Sequence, residues 1–571
     1  MLSRVRSGAV LGIDAVVVEV EVDMTLGLPY FNVVGLPEGA VKESKVRVVS
    51  ALKNCGFDLP QKRITVNLAP ADIRKEGAAF ELPIALGILE SSRHLERQAL
   101  DGYLFGGELA LDGVLKPIRG VLPLAVAALR AGFGRVMVPA ANAEEASLVE
   151  GLEVYAVSHL REAVEHLTGL TPLEPCRRGA LPNPTVSGPS PPDMSDVRGQ
   201  QDIKNALELA AAGGHNILMC GPPGSGKTML ARRLPGILPR MVFQEALEVT
   251  KIYSVLGQLP DGRSLLQDRP FRSPHHTISD AGLVGGGPLT RPGELSMAHH
   301  GVLFLDELPE FRKNVLEVLR QPLEEGQVHL ARANQNITYP CRVMLVAAMN
   351  PCPCGFFNVP NRACTCPERR VRDYHARVSG PLLDRIDITL QTKPLSYRFL
   401  AAPEGQELPS AHYRARVEAA RARQRHRFRF ELATHCNAQM SPTQLRRHCK
   451  VDKGPARMLR AALERFALSA RAHDRILKLA RTRADLEDHA QIDEMDMGLA
   501  IDCRIMDRRG WLGDAPLPKR AEDRFLDTLM GTPIASAHPT AGMDPRRVSL
   551  GEQREQDFGE AEGGGSRGRG D

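Results

Sequence analysis

Residues 221–228, GPPGSGKT, follow a short apolar run, NILMC at 216–220, and lead into MLARRLPGIL, a segment with helical character. Strand, glycine-rich loop and helix in that order constrain this part of the chain to an α/β layer. Its purpose is to present backbone N–H groups and a helix N-terminus to phosphate. Gly221, Pro222, Pro223, Gly224, Ser225 and Gly226 would form the cradle. Lys227 would reach the outer phosphates of a nucleotide, and the Thr228 hydroxyl would bind Mg²⁺.

A second apolar run, GVLFLDE at 301–307, ends in two carboxylates. Asp306 is expected to hold the Mg²⁺ through water, and Glu307 to polarise the attacking water. CRVMLVAAMN (341–350) reads as another buried strand, whose terminal Asn350 is placed to hydrogen-bond the γ-phosphate or that water. In GPLLDRIDI (380–388), Arg385 has two readings. It reaches a neighbouring subunit's nucleotide, or it forms a surface salt bridge with Asp384 or Asp387.

With 571 residues, 43% of them hydrophobic, the chain has material for two to four cores. Residues 1–170 alternate between strand-like and helix-like runs. Ala15–Val22, Ile64–Leu68, Gly106–Leu115 and Arg135–Pro139 read as strands, Glu38–Cys55 and Leu82–Leu89 as helices. Residues 171–194 carry seven prolines in 24 positions and read as a linker. A second α/β block covers 195–392. After a short polar connection, Pro394–Pro409, residues 411–510 are Arg- and Ala-rich with helical periodicity, which makes 393–510 a helical domain, and 511–571 are expected to be mostly disordered.

No apolar run approaches the roughly 20 residues of a membrane span, and the N-terminus lacks a secretory signal. A soluble, cytoplasmic protein is expected. The net charge of +5 permits nucleic-acid binding without arguing for it.

Eleven cysteines, an odd number, include Cys352, Cys354, Cys364 and Cys366 within fifteen positions. Two C-x-C pairs separated by nine residues suit tetrahedral Zn²⁺ in a loop too small for its own core. Four protein ligands leave no open position, so a zinc there would be structural, with free or redox-active thiols as the alternative.

The segments 275–287 (HHTISDAGLVGGG), 291–311 (RPGELSMAHHGVLFLDELPEF), 319–326 (LRQPLEEG), 347–355 (AAMNPCPCG) and 379–388 (SGPLLDRIDI) resemble the magnesium-chelatase-like AAA+ ATPases. Within them the match is closest to the ComM/YifB branch. It extends to 32–44 (NVVGLPEGAVKES) and 65–77 (TVNLAPADIRKEG), and so covers nearly all of 1–510. The resemblance implies ATP with Mg²⁺, a homo-hexameric ring, and translocation on DNA that drives branch migration during natural transformation, alongside recombination proteins. It makes Arg385 the finger acting in trans. It also makes Arg471 the second sensor arginine on a helical lid, with Arg475 as the alternative one turn later.

Between Glu307 and Asn350, EGQVHLARANQNITYPCRV reads as a hairpin inserted before the sensor strand. Its tip region carries Arg332, Asn334, Gln335 and Asn336, able to grip phosphates without reading sequence. The alternative is a solvated hairpin used in subunit packing. The glycine-rich 285–291 is a second pore-loop candidate. Seven arginines between Arg414 and Arg429 offer either DNA contact or a solvated face.

Residues 71–89 and 104–146 resemble the Lon-type protease fold. Alignment places Ala79 where that fold has its serine and Leu122 where it has its lysine, so no peptidase activity is expected. The adjacent Ser44 and Lys45 diverge on a helix and form no dyad. The competing reading is a chelatase-type motor acting on a protein partner. The integrin-like D-x-S-x-S run of such a partner is missing here, since DMSDV (193–197) fails at its last position.

Overall fold

A computed structural model describes residues 2–504, except 38, 59–61, 76, 177–191, 261–263, 288–289, 333–334, 360–361, 394–406, 432–433 and 467. All of them lie in one compact unit, Met1–Asp514. Most of the proline-rich linker and the entire C-terminal tail fall outside the described residues.

The N-terminal region begins with a long antiparallel hairpin, Leu2–Leu11 against Asp14–Thr25. Its second strand alternates buried Val18, Val20, Val22 and Met24 with Glu19, Glu21 and Asp23, the period-2 pattern of a half-covered sheet. Arg63–Ala69 adds antiparallel to that strand, and Tyr30–Val34 adds parallel at the edge. The helices Gly39–Asn54 and Glu81–Ser91 pack here, the latter buried along its whole length. Helix and sheet approach so closely that a Cβ on Gly87 would lie 2.6 Å from Val22 Cγ2.

A parallel trio follows, Tyr103–Phe105, Arg135–Pro139 and Glu153–Val157, with the helix Val121–Arg130 before the middle strand. The strand expected across 106–115 is instead a small hairpin, Glu108–Leu109 against Leu115–Lys116. Asp112–Gly113, with Gly113 at φ 93°, turns the chain between them.

The second region holds five parallel strands in the spatial order Phe271–Arg272, Val302–Leu305, Met344–Met349, Ile217–Cys220, Ile388–Gln391. The three central strands are buried at every residue, as continuous apolar runs must be when both faces are covered. Between the second and third strands in that order the chain makes a hairpin, Gln327–Arg332 with Gln335–Pro340.

The described residues of 410–502 are mainly helical, chiefly in Ser410–Arg427, Lys453–Phe466, Ala470–Leu486 and Glu494–Asp502, and these helices share one core with the sheet. The helix Phe243–Leu256 joins the two regions. Its Ala246 enters the apolar cluster around Leu122 and Leu124, while Lys251 Nζ sits 3.1 Å from Asp14 Oδ1. Among the described residues no helix is long and apolar enough to cross a membrane.

Candidate nucleotide-binding site

Strand register assembles the site. Cys220 pairs with Met349, and Leu305 with Ala347, so the residues just beyond three parallel strands come together at one sheet edge. Those residues are Gly221, Asp306 and Asn350. Gly224 and Gly226 adopt positive φ (78° and 79°), turning the loop into the helix Lys227–Ile237. The cradle's far wall is Thr392, whose hydroxyl lies 2.7 Å from Ser225 Oγ. A Cβ on Gly221 would fall 1.9 Å from that same hydroxyl.

Lys227 is buried, and its Nζ donates to the carbonyls of Gly221 (2.7 Å) and Pro222 (2.9 Å) and to Asn350 Oδ1 (3.3 Å). Burial lowers its pKa. Thr228 Oγ1 donates to Asp306 Oδ2 at 2.7 Å, and the Glu307 amide donates to Asp306 Oδ1 at 3.0 Å. The side chains expected to meet phosphate and Mg²⁺ are therefore gathered and held by one another.

Glu307 stands in left-handed backbone (φ 53°) with its carboxylate 55% exposed. His276 Nδ1 lies 3.7 Å from Glu307 Oε2. This histidine, on the loop after Phe271–Arg272, was invisible as a site residue in the sequence. Only the order of strands brings it beside the carboxylate. Gln200, whose Nε2 donates to the Ser225 carbonyl at 2.9 Å, was equally hidden.

Arg385 pairs with Glu324, and with neither aspartate expected as its surface partner. Its Nη1 donates to the Pro381 carbonyl (2.7 Å), and its Nε finds no acceptor among the described residues, although the side chain is only 15% exposed. Asp387 serves a different purpose. It accepts from Arg475 Nη1 (3.0 Å) and from the Asn216 amide (3.0 Å), with His215 Nδ1 at 3.5 Å. Burial alone would raise its pKa, but the neighbouring His215 and the Arg475 charge hold it at about 2. Arg475 is thereby committed to the core, whereas Arg471 is 63% exposed, its Nη1 3.5 Å from Asp384 Oδ2.

On the inserted hairpin, Asn336 is exposed, Asn334 lies outside the described residues, and for Arg332 and Gln335 the backbone pairing alone is described. The hairpin's base is braced. Tyr339 Oη donates to the Thr290 carbonyl of the glycine-rich segment (2.8 Å), and a Cβ on Gly12 of the N-terminal hairpin would lie 2.8 Å from Ile337. The arginine-rich helix is largely occupied internally. Arg414 donates to the Gly236 carbonyl, Arg416 to Glu208 and Glu487, Arg421 to the Ala211 carbonyl, Arg423 to the Asp485 carbonyl, and Arg427 to Asp485. These five guanidiniums tie helices together, leaving little of the run for DNA.

The four cysteines converge, every Sγ within 4.8 Å of the others. Cys352 and Cys354 are 3.2 Å apart, Cys352 and Cys364 3.6 Å, and Cys354 and Cys364 3.5 Å. Tetrahedral Zn²⁺ with bonds of about 2.3 Å needs sulfurs about 3.8 Å apart, so the donor set fits that ion. The amides of Phe357 and Cys366 point at Cys352 and Cys364 Sγ, 3.3 and 3.4 Å away, as donors that stabilise thiolates.

Two other groupings are spent on hydrogen bonds. His299 Nδ1 accepts from the Arg342 amide (3.0 Å), so its Nε2 carries the proton and faces Glu248 (3.2 Å). Asp493 and Asp496 form a reciprocal helix cap.

In the N-terminal region Ala79 and Leu122 offer no nucleophile or base, and Ser44 Oγ donates to the Val41 carbonyl (2.6 Å).

Comparison with known proteins places these features in context. Residues 193–400 match the family model described as magnesium chelatase, subunit ChlI. Residues 20–142 match subunit ChlI of Mg-chelatase, and 407–504 match its C-terminal part. The chain is 43% identical over 509 residues to YifB of Escherichia coli (strain K12), covering 89% of this chain and 98% of that one. It is 43% identical over 511 residues to Competence protein ComM of Haemophilus influenzae, with the same coverage. Similarity to Lon protease 2 of Bacillus subtilis is partial, 30% identity over 28% of this chain and 30% of that protein.

Proposed function

Because this chain belongs to the magnesium-chelatase-like ComM/YifB family, we propose that it is an ATP-hydrolysing, ring-forming motor that moves DNA and drives branch migration of recombination intermediates during natural transformation. The observation that carries the ATPase part is the convergence of Lys227, Thr228, Asp306, Glu307 and Asn350 at one parallel-sheet edge. The name of the competence relative supports the DNA part.

In this reading Lys227 would exchange the loop carbonyls for ATP phosphates, and Thr228 and Asp306 would hold a Mg²⁺ that offsets the phosphate charge. Glu307, positioned by His276, activates water. Arg385 swings from Glu324 to a neighbouring subunit's ATP in a homo-hexamer. Arg471, free of the core, serves as the second sensor. The hairpin bearing Arg332, Asn334, Gln335 and Asn336 follows one DNA strand through the pore, and Cys352, Cys354, Cys364 and Cys366 hold a structural Zn²⁺. Residues 1–170 form a Lon-like domain without peptidase activity. Residues 171–194 link it to the AAA+ core, 195–392, and residues 393–510 form the lid. The protein works in the cytoplasm, where recombining DNA lies.

The test is ATP-dependent strand release from a labelled three-strand junction, for the wild type and Lys227→Ala. Release that needs ATP and disappears in the variant supports the motor. Hydrolysis that no DNA stimulates, with no strand release, overturns it and favours the chelatase-type reading, in which the motor acts on a protein partner. The family models matched across the chain are what support that second reading.

A further inference from the structure

We propose that the metal bound by Cys352, Cys354, Cys364 and Cys366 sets the affinity of the nucleotide site, because the cysteine loop is a bracket clamped across the P-loop. The inference rests on the zinc reading above and needs no DNA activity.

The loop grows directly out of the site. Asn350, whose Oδ1 accepts from Lys227 Nζ (3.3 Å), is separated from the buried Cys352 by Pro351 alone. Three residues after Cys352, Gly355 presses its backbone against the phosphate cradle. A Cβ there would lie 2.6 Å from Pro223 Cδ and 3.1 Å from Cγ, and the residue holds φ at 86°. No side chain fits between the bracket and the P-loop.

The loop's other end returns to the same place. Cys366 leads into the helix Glu368–His375, where His375 Nε2 lies 2.9 Å from the Pro351 carbonyl and Tyr374 hydrogen-bonds at the Asn350 backbone.

Among the described residues between 352 and 366, no apolar side chain joins a hydrophobic core, although Cys352 is buried. Arg362 stacks on the Phe356 ring at 3.7 Å. The metal therefore supplies the order that packing does not, and the free energy of metal binding becomes conformational order of the loop. Once ordered, the loop bears on Pro223 of the phosphate cradle and on Asn350, which touches Lys227, and so holds the geometry that phosphate must find ready. Coupling between two ligands is reciprocal, so bound nucleotide must retain zinc by the same factor that zinc tightens nucleotide.

The experiment uses the full chain without DNA. Zinc content is measured first. The dissociation constant of a fluorescent ATP analogue with Mg²⁺ is then compared for zinc-loaded protein and for protein stripped with a zinc-selective chelator. Separately, zinc affinity is measured by chelator competition with and without a slowly hydrolysed ATP analogue. Stripping is expected to weaken nucleotide binding by about 5-fold or more, the lower end of coupling between sites, and nucleotide should tighten zinc by the same factor. Equal nucleotide affinity in loaded and stripped, folded protein overturns the inference while leaving the zinc site intact. A chain that binds no zinc overturns both. If stripping unfolds the protein, Pro223→Ala decides, since it removes the ring under Gly355 and keeps all four ligands. It should lose zinc to the chelator about 5-fold more readily, and unchanged zinc affinity would end the proposal.

Discussion

The N-terminal sheet around Val18–Met24 and the parallel sheet around Ile217–Cys220 both bury charged groups, yet they dispose of them in opposite ways. In the first, the fully buried Glu81 carboxylate takes Arg47 Nη2 at 2.5 Å and the Leu109 amide at 2.7 Å. Glu145 accepts from the Leu122 amide (3.0 Å), and the buried Lys75 donates to the Pro70 carbonyl. Each charge is closed off by a fixed internal partner. In the second, Lys227, Asp306 and Asn350 lean on loop carbonyls and on one another, partners that a phosphate and a cation can replace.

Topology explains the contrast. The N-terminal sheet is mainly antiparallel, so its strand ends point both ways and its loops share no edge. The parallel sheet points every carboxyl end the same way and concentrates polar chemistry there. Burial of charge thus marks function only when the partner is exchangeable.

Substitutions can break or sharpen that contrast. Arg385→Ala should lower hydrolysis by about 10³- to 10⁵-fold, as loss of an arginine finger does, while ATP binding persists. Mixing it with Lys227→Ala should recover hydrolysis at sites that pair an intact P-loop with an intact Arg385. No recovery would place the arginine in the same subunit's chemistry. Glu307→Gln should cost about 10²- to 10⁴-fold in turnover, the range for a lost general base, with nucleotide affinity retained in equilibrium binding.

Asp387→Asn tests a fixed partner inside the parallel-sheet region, and about 3 kcal/mol of stability should be lost in urea unfolding because Arg475 is left buried without its counter-charge. The carboxyl is depressed from 3.8 to about 2 on folding. Its contribution is therefore complete above pH 4 and fades as pH falls towards 2, so the gap between variant and wild type should narrow over that window. Glu81→Gln should cost less, about 1–3 kcal/mol, and leave kcat for ATP unchanged. A large loss of hydrolysis would show that the N-terminal sheet's closed charges reach the site, along the helix Phe243–Leu256 or the hairpin contact at Ile337.

Much of the site could be read along the chain. The run from Gly221 to Thr228, the Asp306–Glu307 pair and Asn350 each sit at the end of a recognisable strand, and the C-x-C pairs announce a sulfur cluster. The small hairpin at 108–116 reads along the chain as one strand because apolar residues flank the Asp112–Gly113 turn on both sides. Arg385 was offered the wrong partner because Asp384 and Asp387 are near in sequence, while Glu324 is near in space. The arginine-rich helix looked available for DNA because charge counts do not reveal the carbonyls and carboxylates opposite.

The sequence by itself determined which strands are buried on both faces, that Gly221, Asp306 and Asn350 follow strand ends, and that four cysteines cluster between 352 and 366. Those features are local, set by residue type and spacing over a few positions. Only the tertiary structure decided that His276 faces Glu307, that Asp387 belongs to Arg475, and that Gly355 rests on Pro223. Each pairs groups far apart in the chain, and their meeting depends on strand order and register, which no short run of residues records.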